Sequence, residues 1–190
     1  MKKVIIIGAS GSLAKYVIKD LQTIEDVVLT LLTRNKNNIQ NDIRNSEVIE
    51  ADVIDYHKLK EAIAGQDIVY VNLAGNLEAM SKNIVQAMLE TGVRRIIAIS
   101  SIGIYKTPLK PVLVPYRKLA DVIETSGLDY TILRPDWFTN EDEIDYALTQ
   151  KSEPESGRAI SRKSIAAFIT LLVQNPEQHI PENLGISKPQ

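Results

Sequence analysis

With 190 residues, the chain is long enough to bury the core of one domain and short for two. Hydrophobic residues make up 44% and charged ones 24%, ordinary for a globular protein, and 22 basic against 24 acidic side chains leave a net charge of −2, without the basic excess of a nucleic-acid binder. Cysteine is absent, which excludes disulfides, thiolate metal sites and a thiol nucleophile.

The stretch that organises the chain comes first, at residues 4–14 (VIIIGASGSLA). A short, wholly apolar β-branched run suits a strand buried on both faces, as in the middle of a parallel sheet. Gly8, Gly11 and Ala14 keep the spacing of a dinucleotide loop. Gly8 permits the tight turn out of the strand, Gly11 lets backbone approach a pyrophosphate, and Ala14 lets the helix pack on the strand. The amides of Ser12 and Leu13 then stand at a helix N-terminus, where a phosphate is favoured. Only four apolar residues precede Gly8, too few for a signal-peptide core, and no stretch reaches transmembrane length. A cytoplasmic protein is expected, with neither membrane nor nucleic acid as partner.

The periodicity predicts a helix over 12–22, a strand over 27–33, a polar loop over 35–45 and a third strand over 48–53. Asp55 caps a helix through Leu59 and Ile63, which Gly65 stops. A fourth strand (67–74), a helix (80–91) and a fifth strand (95–101) follow. A loop with Pro108, Pro111 and Pro115 leads to a helix over 116–126 and a sixth strand over 130–133. Beyond Arg134-Pro135 the pattern weakens; it predicts a helix over 141–149, a short strand near Ala159, a helix over 163–173 capped by Ser161, and a last strand near Leu184. Alternating strands and helices at these lengths predict an α/β fold: one doubly wound Rossmann-type domain, with six or seven mostly parallel strands flanked by helices.

In such sheets the ligand lies outside the carboxyl ends of the strands. The second strand ends Thr33-Arg34, so an arginine stands where NAD-preferring domains carry an acid. Arg34 can pair with a 2′-phosphate, and Ser10 can add a hydroxyl to it. NADP(H) is therefore expected over NAD(H). Asp52-Val53 closes the third strand, either to accept from an adenine amino group or to cap the next turn. Leu73, Ala74 and Gly75 close the fourth with small residues beside a flat ligand, or as a plain turn. Ser100-Ser101 closes the fifth, either as donors over a nicotinamide or as hydroxyls bonded to nearby backbone.

In combination, GASGSLA, Arg34, Asp52-Val53, NLAG, ISSIGIY and GLDYTILRP resemble the atypical short-chain dehydrogenase/reductases, in particular their NmrA-like NAD(P)-binding branch, over residues 1–138. The resemblance implies Ser101 in the position of the catalytic serine. It further implies a 1–138 core, and a segment after Pro135, running on through 139–190, that helps form the substrate pocket. Tyr116 starts the helix where active relatives carry Tyr-x-x-x-Lys. Here Ala120 stands four residues on, and Lys118 falls on another side of the helix. The proton-donor dyad, in which an ammonium lowers the tyrosine pKa, is thus not intact.

Trp137 and Phe138 follow a strand end and either line a substrate pocket, with Pro135, or simply cover the sheet edge. Two distant histidines, His57 and His179, give no metal-ligand spacing, and no metal is expected. The acidic cluster Glu141, Asp142, Glu143 and Asp145 reads as a complement to the positive end of the predicted helix 141–149. Arg94-Arg95 precedes a strand on the side away from the ligand and reads as a solvated pair. The functional expectation is an NADP(H)-binding oxidoreductase, monomeric or homodimeric, reducing a small carbonyl, quinone or flavin-like acceptor. The alternative is a non-catalytic NADP(H)-binding redox sensor.

Overall fold

The computed structural model describes residues 1–155 and 157–189. Its elements run β1 (Lys2–Ile7), α1 (Ala14–Leu21), β2 (Val27–Thr33), β3 (Ser46–Glu50), α2 (Tyr56–Ile63), β4 (Ile68–Val71), α3 (Leu77–Thr91) and β5 (Arg95–Ile99). They continue with α4 (Val114–Glu124), β6 (Asp129–Pro135), β7 (Phe138–Thr139), β8 (Ala147–Thr149), β9 (Ile160–Ser161), α5 (Arg162–Gln174) and β10 (Glu182–Ser187). The main sheet has eight strands in the order β3-β2-β1-β4-β5-β6-β10-β8, one or two more than the hydrophobic runs suggested. All its pairings are parallel except β8 against β10. The chain leaves β1 in one direction to β2 and β3 and returns in the other to β4 and β5, so a topological switch lies between β1 and β4.

The isoleucine run explains why β1 sits at the centre. Alternate side chains of a strand face opposite ways, and all four residues from Val4 to Ile7 are fully buried. Val4 and Ile6 join one core with α1 and α5, whereas Ile5 and Ile7 join the other with α2, α3 and α4. Such a strand has no polar face to show to water, so it is stable only with helices on both sides.

Three expectations are corrected. Residues 141–149 form no helix; Ala147–Thr149 is β8, paired antiparallel along β10. Tyr146 packs on Phe168 at 5.3 Å while Ile144 stays exposed, so burial follows a sheet edge and not a helical stripe. The neighbouring acids are met by cations, not by a helix dipole: Asp142 by Lys163, and Glu141 and Glu143 by Lys188.

Arg95 is not solvated. It is 5% exposed, and donates to the Asp129 carbonyl (3.1 Å), Thr131 Oγ1 (2.8 Å) and the Gln178 carbonyl (3.3 Å). Burial pulls its pKa down to about 10. Arg94 is the exposed member, 3.7 Å from Asp129. Arg95→Ala should lower unfolding stability by about 2–4 kcal/mol in urea titration, because buried acceptors lose their donor and a cavity is left; a loss below about 0.5 kcal/mol would show the cation to be dispensable.

Candidate functional site

The carboxyl ends of β1 to β6 open onto one cleft of about 920 Å³, of a size that holds a cofactor-sized ligand. The glycine loop forms its floor. Gly8 has φ +94°, and a Cβ there would lie 2.1 Å from the Asn72 carbonyl oxygen, at the end of β4. A Cβ on Gly11 would lie 3.0 Å from Asn72 Nδ2. The loop is thus pressed against the switch point, and Asn72 N–H in turn donates to the Ile7 carbonyl (3.0 Å). The backbone N–H groups of Ser12 and Leu13 have no partner among the described residues. These two glycines make a cradle that side chains would fill, which is the fit a dinucleotide pyrophosphate requires.

Gly8, Ser10, Gly11 and Ser12 all line the cleft. Leu13 does not; its side chain is buried in the α1/α5 core, so only its backbone can serve a ligand. Helix α1 starts at Ala14, later than the expected residue 12, which leaves the loop free of helical hydrogen bonding for longer. Arg34 lines the cleft beyond β2, exposed, and has no carboxylate within ion-pair distance among the described residues. Between it and the glycine loop, Thr33 Oγ1 lies 3.3 Å from Ser10 Oγ.

Asp52 and Val53 line the same side. Asp52 Oδ1 also accepts from the Ile54 amide (2.9 Å), the turn-capping role that was its alternative. Leu73 and Ala74 line the cleft; Gly75 stands outside it, and its carbonyl accepts the Leu77 amide (2.8 Å) at the start of α3.

At the other end, Ser100, Ser101 and Tyr116 line the cleft together. Both serine hydroxyls are engaged with backbone. Ser100 Oγ donates to the Tyr116 carbonyl (3.0 Å) and so ties α4 to β5, and Ser101 Oγ donates to the Ile102 carbonyl (3.2 Å). Lys118 points away, 3.9 Å from Glu78, and Ala120 is fully buried, so no lysine reaches Tyr116 from α4. Pro135, Trp137 and Phe138 complete the mouth, with Trp137 84% exposed.

Sequence reasoning passed over several lining residues. Asn72 sits behind the glycines, and Lys106 and Lys110 bring cations from the loop before α4. Asn72 was visible in the sequence only as the end of a buried strand and the first residue of NLAG, and neither signal set it apart as a site residue. The residues beyond Phe138 brace the cleft from outside it: Glu155, ion-paired with the buried Arg134, accepts the Gly103 amide (2.8 Å) in the cleft wall.

A central parallel sheet with a switch point, a glycine loop at that switch and a cleft above it define a dinucleotide-binding α/β protein of the Rossmann type. Residues 8–176 match the profile of the NAD(P)H-binding family, and the chain belongs to that family. A Rossmann-fold NAD(P)-binding family protein from Shigella flexneri is 46% identical, with a TM-score of 0.91, over 100% of this chain and 94% of that one. Two further solved structures share the fold. One is a wide-type short-chain dehydrogenase/reductase from Veillonella parvula DSM 2008 in complex with NADP (24% identity, TM-score 0.84, 99% and 95% covered). The other is ChuY, an anaerobilin reductase from Escherichia coli O157:H7 (15% identity, TM-score 0.82, 100% and 98% covered). A search of curated proteins returns no significant match. Among the described residues no helix is long and apolar enough to cross a membrane.

Gly8→Ala should both unfold more easily, by about 2–4 kcal/mol, and lose nucleotide affinity, since the methyl forces the loop off Asn72. Denaturant titration and calorimetry on the same preparation check this. Unchanged stability would mean that the loop has another conformation available.

Proposed function

We propose that the chain binds NADP(H) in preference to NAD(H) and reduces a small carbonyl, quinone or flavin-like acceptor at the expense of NADPH. The observation that carries this reading is the continuity of the cleft. It runs from an arginine without an ion-pair partner at β2, over the glycine cradle, to an aromatic mouth formed by Tyr116, Trp137 and Phe138. Gly8, Gly11, Ser12 and the Leu13 amide would hold the pyrophosphate, and Arg34 with Ser10 the 2′-phosphate. The NADP complex of the Veillonella protein, on the same fold, supports the choice of cofactor.

Bound there, the nicotinamide would supply the hydride-transfer chemistry, while orientation, water exclusion and proton supply fall to the protein. Ser101 and Tyr116 stand at the position where an acceptor would be protonated. Tyr116 has no lysine four residues on to complete the dyad, and Lys118 faces Glu78. Quinone- and flavin-type acceptors suit this site because they take protons from solvent. In the same proposal, residues 1–190 act as one domain in the cytoplasm, monomeric or homodimeric, with 139–190 bracing the acceptor end.

A second reading, a non-catalytic redox sensor of the NmrA-like type, is favoured by one observation. Lys118 faces Glu78, so α4 supplies no lysine to Tyr116. The two readings part on whether NADPH is consumed. Steady-state NADPH oxidation over a panel of carbonyls, quinones and flavins should rise above background with at least one acceptor, and should fall in Tyr116→Phe with carbonyls more than with quinones. A flat panel sinks the reductase and leaves the sensor. Arg34→Ala should weaken NADPH binding by about tenfold or more and leave NADH within about twofold, as loss of a charge-assisted phosphate contact requires. Equal losses would remove the 2′-phosphate argument.

A further inference from the structure

A second, polar hollow of about 450 Å³ lies on the outer side of the glycine loop. Ser10, Gly11 and Ser12 line both it and the main cleft, so the loop is the wall between them. On its far side stands Arg162, the first residue of α5, some 150 positions away in sequence. Its guanidinium reaches across to the loop. Nε donates to Ser12 Oγ (3.4 Å), and Nη1 donates to the Thr139 carbonyl (3.3 Å) and to Asn140 Oδ1 (2.9 Å). The flat group also stacks on Phe138, with Cζ 5.1 Å from the ring centre.

The charge of this group is unanswered. All three acceptors are neutral, and Arg162 is in no ion pair among the described residues. Its neighbour Lys163 does have a carboxylate, Asp142. The hollow is lined by no acid, its other ionisable side chains being Lys15 and Tyr16. Nη2 has no acceptor among the described residues, so the fork has donors to spare. A cation at the first turn of a helix is opposed by the helix dipole. A cation without an ion-pair partner among the described residues, with donors to spare, thus rests on one hydroxyl of a loop whose family binds NAD(P)H, and an anion is what would balance it.

We infer that Arg162 is a cofactor-binding residue, gripping the pyrophosphate at Ser12 from the α5 side, so that the C-terminal segment closes the phosphate site as well as the acceptor end. This rests on the dinucleotide reading of the cleft, and the test separates the two. Arg162→Gln removes the charge and keeps amide donors; Arg162→Lys keeps the charge and loses the fork. Calorimetric titrations with NADPH, NADH and adenosine 2′-monophosphate, which lacks both phosphates of the pyrophosphate, are run on the wild type and both variants, with thermal melts to confirm folding.

Arg162→Gln should weaken NADPH and NADH alike, by about tenfold or more. It should leave adenosine 2′-monophosphate within about twofold, and Arg162→Lys should recover part of the loss. Added NaCl should weaken NADH binding to the wild type more steeply than to Arg162→Gln, a screening effect that a merely structural side chain would not produce. If Arg162→Gln matches the wild type for both dinucleotides, or loses only NADPH and adenosine 2′-monophosphate, the pyrophosphate assignment is overturned. Wild-type protein that binds neither dinucleotide instead overturns the cofactor reading itself.

Discussion

The contact between Gly8 and the Asn72 carbonyl governs the rest of the structure. β1 and β4 are neighbours whose chains depart in opposite directions, and the crevice this opens is where a ligand can reach backbone. The crevice is usable only if the β1 loop lies flat against the end of β4. A Cβ on Gly8 would sit 2.1 Å from a carbonyl oxygen that cannot move without dislodging β4. With no side chain there, the loop turns at once, and the Ser12 and Leu13 amides are presented without partners. From that point the cleft follows from the parallel register, which brings the other strand ends to the same side of the sheet.

Buried cations hold the surrounding frame. Arg134 beneath the acceptor end pairs with Glu155, which fastens the loop at Gly103. Arg95, at the opposite end of the sheet, has carbonyls and a threonine hydroxyl for partners instead of a carboxylate. Buried charges are strongly destabilising when a partner is removed, so both arginines act as ties between segments distant in sequence. Arg34 and Arg162 are different in kind. They flank the glycine loop without a carboxylate among the described residues, Arg34 in the cleft and Arg162 in the hollow on its outer side.

The two ends of the cleft are specified to different degrees. At the phosphate end, loop, hydroxyls and cations converge on one chemistry. At the acceptor end Tyr116 stands without its lysine, Ser100 is occupied in holding α4, and an exposed tryptophan marks the mouth. Such an end suits acceptors that need positioning on flat apolar surface more than they need a proton delivered.

The β-branched runs and the glycine spacing made the central strands, their order of appearance and the phosphate loop legible in the sequence, because burial on both faces and close backbone approach leave local signatures. Arg34 and the strand-end residues were legible for the same reason, since a parallel α/β sheet puts its ligand at one known edge. What the sequence could not convey depended on which distant segments meet. Residues 141–149 read as a helix, yet Ala147–Thr149 pair along the edge of β10, where ladder hydrogen bonds outweigh a weak propensity. Arg95 looks solvated until the turn carrying Gln178 folds over it. Lys106 and Arg162 carry no motif, and Asn72 only its place in NLAG; they reach the glycine loop or the cleft because the sheet order and the packing of α5 on α1 bring them there. Local pattern therefore determined the elements and the site's location, and tertiary packing alone decided which far-off charges surround it, because a side chain's partners across the fold leave no period in the chain.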